Sequence, residues 1–187
     1  KGDGSLDCKK STYITISYNH FFENGKCNLL GLSEGTTDGL YITYHHNWYD
    51  HSDSRHPRVR YYSAHVYNNY YDGIAKYGIG STLGSSIFSE NNYFRSCKFP
   101  MLTSMQGSDL YAEDNKSSKD NGTFSGEAGG TIKSFGNKFE GKVTYVSYNN
   151  TISALKGGKD TRGINGKSDF DFYEASSRNE KVPSSVT

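Results

Sequence analysis

The chain has 187 residues, 33% hydrophobic and 14% aromatic, and a formal net charge of +1. That length fits one domain with a sizeable core, and the aromatic content argues against disorder. A near-neutral charge gives no global field for nucleic acid or an anionic membrane, and no apolar run approaches the roughly 18 residues of a membrane span.

The 16 Tyr, 10 Phe and 21 Gly, against 3 Pro, predict an all-β chain with many tight turns. The segment Asp3-Gly-Ser-Leu-Asp7 comes first. It sets two carboxylates around a turn, a donor type suited to a hard cation. A strand-like run, ITISYNHFF, follows and ends on Asn19 and Phe21. A turn then carries Lys26, which by itself reads as solvated surface.

The next run, ITYHHNWY, ends on Asn47 and Tyr49 and leads into Arg55-His-Pro-Arg-Val-Arg60. With Val59 directed inward, strand alternation sends Arg58 and Arg60 outward, where guanidinium groups suit carboxylates. AHVYNNYY, SIFSENNYF and TIKSFGNKF close on Asn69, Asn92 and Asn137, again with an aromatic two residues later. Thr103 to Thr131 is polar and rich in Gly, Ser and Asp, which predicts a long loop. From about Lys156 periodicity is lost, as in a C-terminal cap or trailing segment. One domain is expected over 1–187, with coils over 1–155, a loop at about 103–131 and the cap at 156–187.

The asparagines are spaced by 28, 22, 23 and 45 residues. A period near 22 indicates a solenoid, and period-2 alternation within each segment excludes helical repeats. Stacked coils of short parallel strands remain, about six of them if Asn115 fills the double interval. Repeated Asn at a turn can adopt left-handed backbone and bond its copies above and below. The aromatic two residues on would stack in the same way. Adjacent His45 and His46 are expected on opposite faces of a strand, and the histidines generally read as stacking residues. Cys8, Cys27 and Cys97 follow no metal spacing, leaving one disulfide plus a thiol, or three thiols, both open.

Further motifs include Tyr13-Ile-Thr-Ile-Ser-Tyr18, Lys26-x-x-Leu-Leu-Gly31, Ile42-Thr-Tyr-His-His-Asn47 and His65-Val-Tyr-Asn-Asn-Tyr70. With Asp3–Asp7 and Arg55–Arg60, in this order over about residues 1 to 100, they resemble the secreted pectate lyases. The resemblance implies a right-handed parallel β-helix that cleaves polygalacturonate by β-elimination with Ca²⁺. It implies that Asp3 and Asp7 hold the calcium, that Arg55 is the Brønsted base, and that Lys26 and Arg60 bind substrate carboxylates. Arg58 joins them from strand alternation alone. An extracellular monomer is expected, acting on polygalacturonate, with no nucleic-acid or membrane partner. In the family, several coils and a further Asp ligand precede the matching segment, so this chain is expected to be a C-terminal portion of the catalytic domain.

The resemblance leaves three other functions to weigh. Pectin lyases lack the calcium carboxylates that Asp3 and Asp7 would supply. Polygalacturonases carry Asn-Thr-Asp and Gly-His-Gly motifs, which this sequence lacks. A non-catalytic β-helix that binds acidic polysaccharide is the third.

Overall fold

Short runs of β-branched and aromatic residues, broken every few positions by a turn, leave each strand only two to six residues long. The structure, a computed structural model, describes residues 3–31, 40–103 and 130–143. Numbered in chain order, the described strands fall into three parallel sheets. The first contains β1 (Ile14–Ser17), β4 (Tyr41–His45), β7 (Ser63–Tyr67), β10 (Ser86–Glu90) and β13 (Thr131–Phe135). The second contains β2 (His20–Phe22), β5 (Trp48–Asp50), β8 (Tyr70–Asp72), β11 (Tyr93–Arg95) and β14 (Lys138–Glu140). The third contains β3 (Leu29–Leu30), β6 (Arg58–Arg60), β9 (Tyr77–Thr82) and β12 (Phe99–Thr103). Each strand pairs with its counterpart one coil away, which makes the molecule a right-handed parallel β-helix.

Alternation sends one set of side chains inside. Ile42, Ala64, Ile87 and Ile132 lie in register and are nearly inaccessible to solvent. Beside them runs the aromatic column Phe21, Tyr49, Tyr71, Phe94 and Phe139, with ring centroids 5.1, 4.9, 4.3 and 5.5 Å apart in turn. These are the aromatics two residues after each repeated Asn. Offset stacking of this kind adds about 0.5–1.5 kcal/mol per pair beyond simple burial.

The asparagines form the expected ladder. Nδ2 of Asn19, Asn47, Asn69 and Asn92 each donates at 3.0 Å to Oδ1 of the next, ending on Asn137. Three expectations need correction. Asn92 bonds directly to Asn137, and β10 pairs with β13, so the described ladder steps across the 45-residue interval in one rung, and Asn115 lies outside the described residues. Nor do the ladder asparagines take the left-handed backbone. That conformation falls one residue earlier, at Tyr18, His46, Asn68, Asn91 and Gly136. A single left-handed residue turns the chain from the first sheet to the second, and the Asn behind it points inward to cap the corner's backbone. His46 lies at such a corner rather than on β4, so its Nδ1 meets Nδ1 of His45 at 2.8 Å instead of facing away from it.

A second left-handed row, Glu23, His51, Gly73, Ser96 and Gly141, turns the chain out of the second sheet. Among the described residues all three cysteines are free thiols. Burial pushes the Cys27 thiol up to about 11 and the Cys97 thiol up to about 12, so both pack as apolar groups. Thr103 and Thr131 are themselves strand ends. The rest of the expected loop, the stretch between Gly31 and Gly39, and the C-terminal cap lie outside the described residues.

Candidate functional site

The third sheet and the chain entering it position the site. Asp3 bridges to Lys26, and Lys26 to Ser54, in parallel register on three successive coils. A spacing close to one coil therefore becomes lateral contact. Nζ of Lys26 donates to Oδ2 of Asp3 at 3.0 Å, and Nη1 of Arg55 lies 3.5 Å from Oδ1 of the same carboxylate. The Lys26 ammonium, with a lesser contribution from Arg55, holds the Asp3 carboxyl below its ordinary range.

Arg55 stands out in its backbone. Its φ is +66°, and it belongs to neither of the repeated corner rows. A bulky residue in the left-handed region costs of order 1–3 kcal/mol and is retained where its surroundings over-determine it. The Arg55 carbonyl accepts from the Asn28 amide at 2.8 Å, which fixes it against the preceding coil. The Arg55 side chain is 16% exposed, so its guanidinium is held rather than waving in solvent.

Asp7 occupies a tight turn. Its Oδ1 accepts from the Leu29 amide at 2.8 Å, and its carboxylate folds over Gly4, whose φ is +83°. That φ favours glycine, and a Cβ on Gly4 would sit 2.6 Å from Asp7 Oδ2 and push the carboxylate aside. Two solvent-facing carboxylates beside such a cradle suit a hard, oxygen-liking cation, and Asp3 and Asp7 are the residues that would hold calcium here.

Val59 is fully buried, as alternation requires, and Arg60 on the outer face is half-buried. Gly31 permits its position, since a Cβ there would meet the Arg60 carbonyl oxygen at 2.4 Å. Arg58 was expected beside it as exposed surface, yet it is only 8% exposed and offers a ligand far less than Arg60 does.

His56, between Arg55 and the β6 strand, is fully buried and donates from Nδ1 to the Tyr77 carbonyl at 3.0 Å. Burial pushes its imidazole from 6.5 down to about 4. The unfolded chain therefore takes up a proton that the folded chain excludes as pH falls from about 6.5 to 4. Stability should drop through that window by on the order of 3 kcal/mol. Urea midpoints at neutral pH and near pH 4.5, compared for wild type and His56→Gln, check this. An unchanged pH response in the variant would remove His56 as the cause.

A charged row that the sequence reading missed crosses the second sheet. Asp50, His51 and Asp72 bring donor atoms within 4.8 Å of one another. Arg95 forks onto Asp72, and His20 pairs with Asp50 at 2.9 Å, so the row reads as an ion-pair network. Its signal was available: Asp50, Asp72 and Arg95 all lie three residues after a ladder Asn.

A family model described as pectate lyase matches residues 1–155. The chain belongs to the pectate lyase family. It is similar to a pectate trisaccharide-lyase of Bacillus licheniformis, 39% identical over 102 residues, which cover 54% of this chain and 30% of that protein. Pectate lyase E of Dickeya chrysanthemi is 43% identical over 104 residues, covering 49% of this chain and 27% of the relative. The chain thus spans about 30% of the length of these curated pectate lyases. Among solved structures, pectate lyase II of Xanthomonas campestris superposes with a TM-score of 0.61 at 29% identity, covering 79% of this chain and 40% of that one. A pectate lyase from Bacillus sp. N165, solved with trigalacturonate, gives a TM-score of 0.59 at 25% identity over 94% of this chain and 51% of that one.

Proposed function

We propose that this chain carries the catalytic face of a calcium-dependent lyase that cleaves the α-1,4 bonds of polygalacturonate by β-elimination. The convergence of Asp3, Lys26 and Arg55 from successive coils carries the reading, because it gathers a carboxylate and two cations on one edge of a pectate-lyase β-helix. The relatives named above and the trigalacturonate-bound neighbour support the substrate class.

Asp3 and Asp7 would hold the metal. Calcium, when bound, supplies positive charge against a substrate carboxylate. Lys26 and Arg60 pair with carboxylates of the chain and offset the charge that builds as the C5 proton leaves. Arg55 in its neutral form takes that proton, the freed electron pair forms the C4–C5 double bond, the C4–O bond breaks, and the leaving oxygen departs with the bonding electrons and is protonated from water, giving a 4,5-unsaturated end. A guanidinium keeps its proton near neutrality, so the rate is expected to rise from neutral to alkaline pH. Arg58, more enclosed, adds to the field of the same row. The proposal includes an extracellular monomer, since a polymer of this size is met outside the cell.

Incubating the protein with polygalacturonate and calcium tests the reading. Ultraviolet absorbance from unsaturated uronate ends, lost on chelation, is the expected result. Reducing ends without that absorbance would mean hydrolysis, and retention on the polymer without either would mean binding alone.

A further inference from the structure

We propose that Asp3 is an exchangeable counter-ion: without calcium it holds Lys26 and Arg55, and calcium displaces them toward the substrate. This rests on the lyase reading but adds a coupling to it. Each oxygen of the Asp3 carboxylate faces one cation, Oδ2 the ammonium of Lys26 at 3.0 Å and Oδ1 the guanidinium of Arg55 at 3.5 Å. One proposed partner of the substrate, Lys26, and the proposed base, Arg55, are therefore turned toward a carboxylate of the protein's own.

Backbone register explains why this pairing forms without a ligand. Asp3 and Lys26 are bridged directly, and Lys26 to Ser54, the residue before Arg55. The three side chains therefore leave the backbone from fixed neighbouring positions. Asp7 differs: its Oδ1 is taken by the Leu29 amide. A divalent cation entering at Asp3 competes for the two oxygens that Lys26 and Arg55 now face. A substrate carboxylate is then the natural acceptor for the displaced Lys26 ammonium, Arg55 is released toward the C5 proton, and calcium and uronate binding become linked through Asp3. In this role Asp3 is a positioning residue, acting through Lys26 and Arg55.

The coupling can be read without turnover. Acylation of Lys26 by an uncharged amine reagent, followed by peptide mass spectrometry, reports how firmly its ammonium is held. Calcium should raise the Lys26 rate about two- to fivefold, the range an exposed ion pair spans, with Lys76 as internal reference. Asp3→Asn should give the same rise without calcium and abolish the calcium response. Asp7→Asn removes the same charge nearby, yet should leave the calcium-free Lys26 rate unchanged. By calorimetry with calcium chelated, Asp3→Asn should bind trigalacturonate about two- to fivefold more tightly than wild type. Equal calcium-free labelling of wild type and Asp3→Asn, or equal gains in the two variants, would overturn the proposal. Should Asp3→Asn fail to fold, a Lys26 rate in wild type that ignores calcium would overturn it alone. Unsaturated product formed normally alongside such a result would sink the exchange and leave the lyase reading standing.

Discussion

Replacing Arg55 with alanine is expected to lower eliminative turnover by about 10²- to 10⁴-fold, the range a positioned proton-transfer group contributes. The substitution is a clean one. Arg55 already sits at a φ of +66°, so alanine adds no backbone strain that the native residue lacks, and the carbonyl bond from the Asn28 amide is kept. Loss of folding should therefore not confuse the readout, and a melting curve checks that. The fall should appear in kcat, with KM nearly constant, because a base acts as the C5 proton leaves rather than as substrate binds. Lys26→Ala should show a larger share of its effect in KM. Wild-type rate that stays flat from neutral to alkaline pH would count against Arg55 as the base, whatever the alanine variant does.

Asn69→Ala, at one of the buried inner rungs of the ladder, should cost about 3–6 kcal/mol, since each buried partner left unsatisfied costs about 1–3 kcal/mol. Asn69 is 2% exposed. Its Oδ1 accepts from the backbone and side-chain nitrogens of Asn47, and its Nδ2 donates at 3.0 Å to Tyr44, Tyr67 and Asn92 oxygens. Alanine takes a partner from each of these, although Asn92 Oδ1 keeps the Asn69 backbone N–H and Asn47 Nδ2 keeps the Ile16 oxygen. A loss of that size is a large fraction of the 5–15 kcal/mol typical of a domain. Asn19→Ala, at a half-buried rung, should cost far less. Urea midpoints of the two variants decide this, and equal shifts would mean that the ladder is not the source of cohesion.

The fold was legible because stacking repeats the same contact. Asn and the aromatic two residues on recur wherever a coil returns to the same corner, so the spacing 22, 23 read directly as register. The corner itself was not legible. Its left-handed residue is Tyr, His, Asn or Gly in different coils, and nothing in residue type marks it. The 45-residue interval read as two coils because 45 is close to twice the period, and arithmetic alone cannot tell a second coil from an insertion that the direct Asn92–Asn137 bond spans. The site shows the same limit. Asp3, Lys26 and Arg55 stand in the sequence as a lone turn, a lone surface lysine and an arginine motif. Only resemblance joined them before the coil register placed Asp3 against Lys26 and Lys26 against Ser54. Asp50, Asp72 and Arg95 were missed although they share one offset from the ladder, because charge was sought in local clusters rather than along the stacking direction.

The Asn92–Asn137 rung carries a consequence for how such a protein can change. It closes at 3.0 Å across 45 residues, as the Asn47–Asn69 rung does across 22. Lengthening a connection costs only about 0.6 kcal/mol per doubling in closure entropy. Both long intervals leave from strand ends of the third sheet, after Gly31 and after Thr103, on the sheet that carries Arg58 and Arg60. Among the described coils, variation in chain length thus falls on the edge proposed to meet substrate, while the rungs that set the spacing are indifferent to it. Segments grafted at that edge could retune recognition without re-optimising the interior, which makes it the place to exchange sequence between relatives.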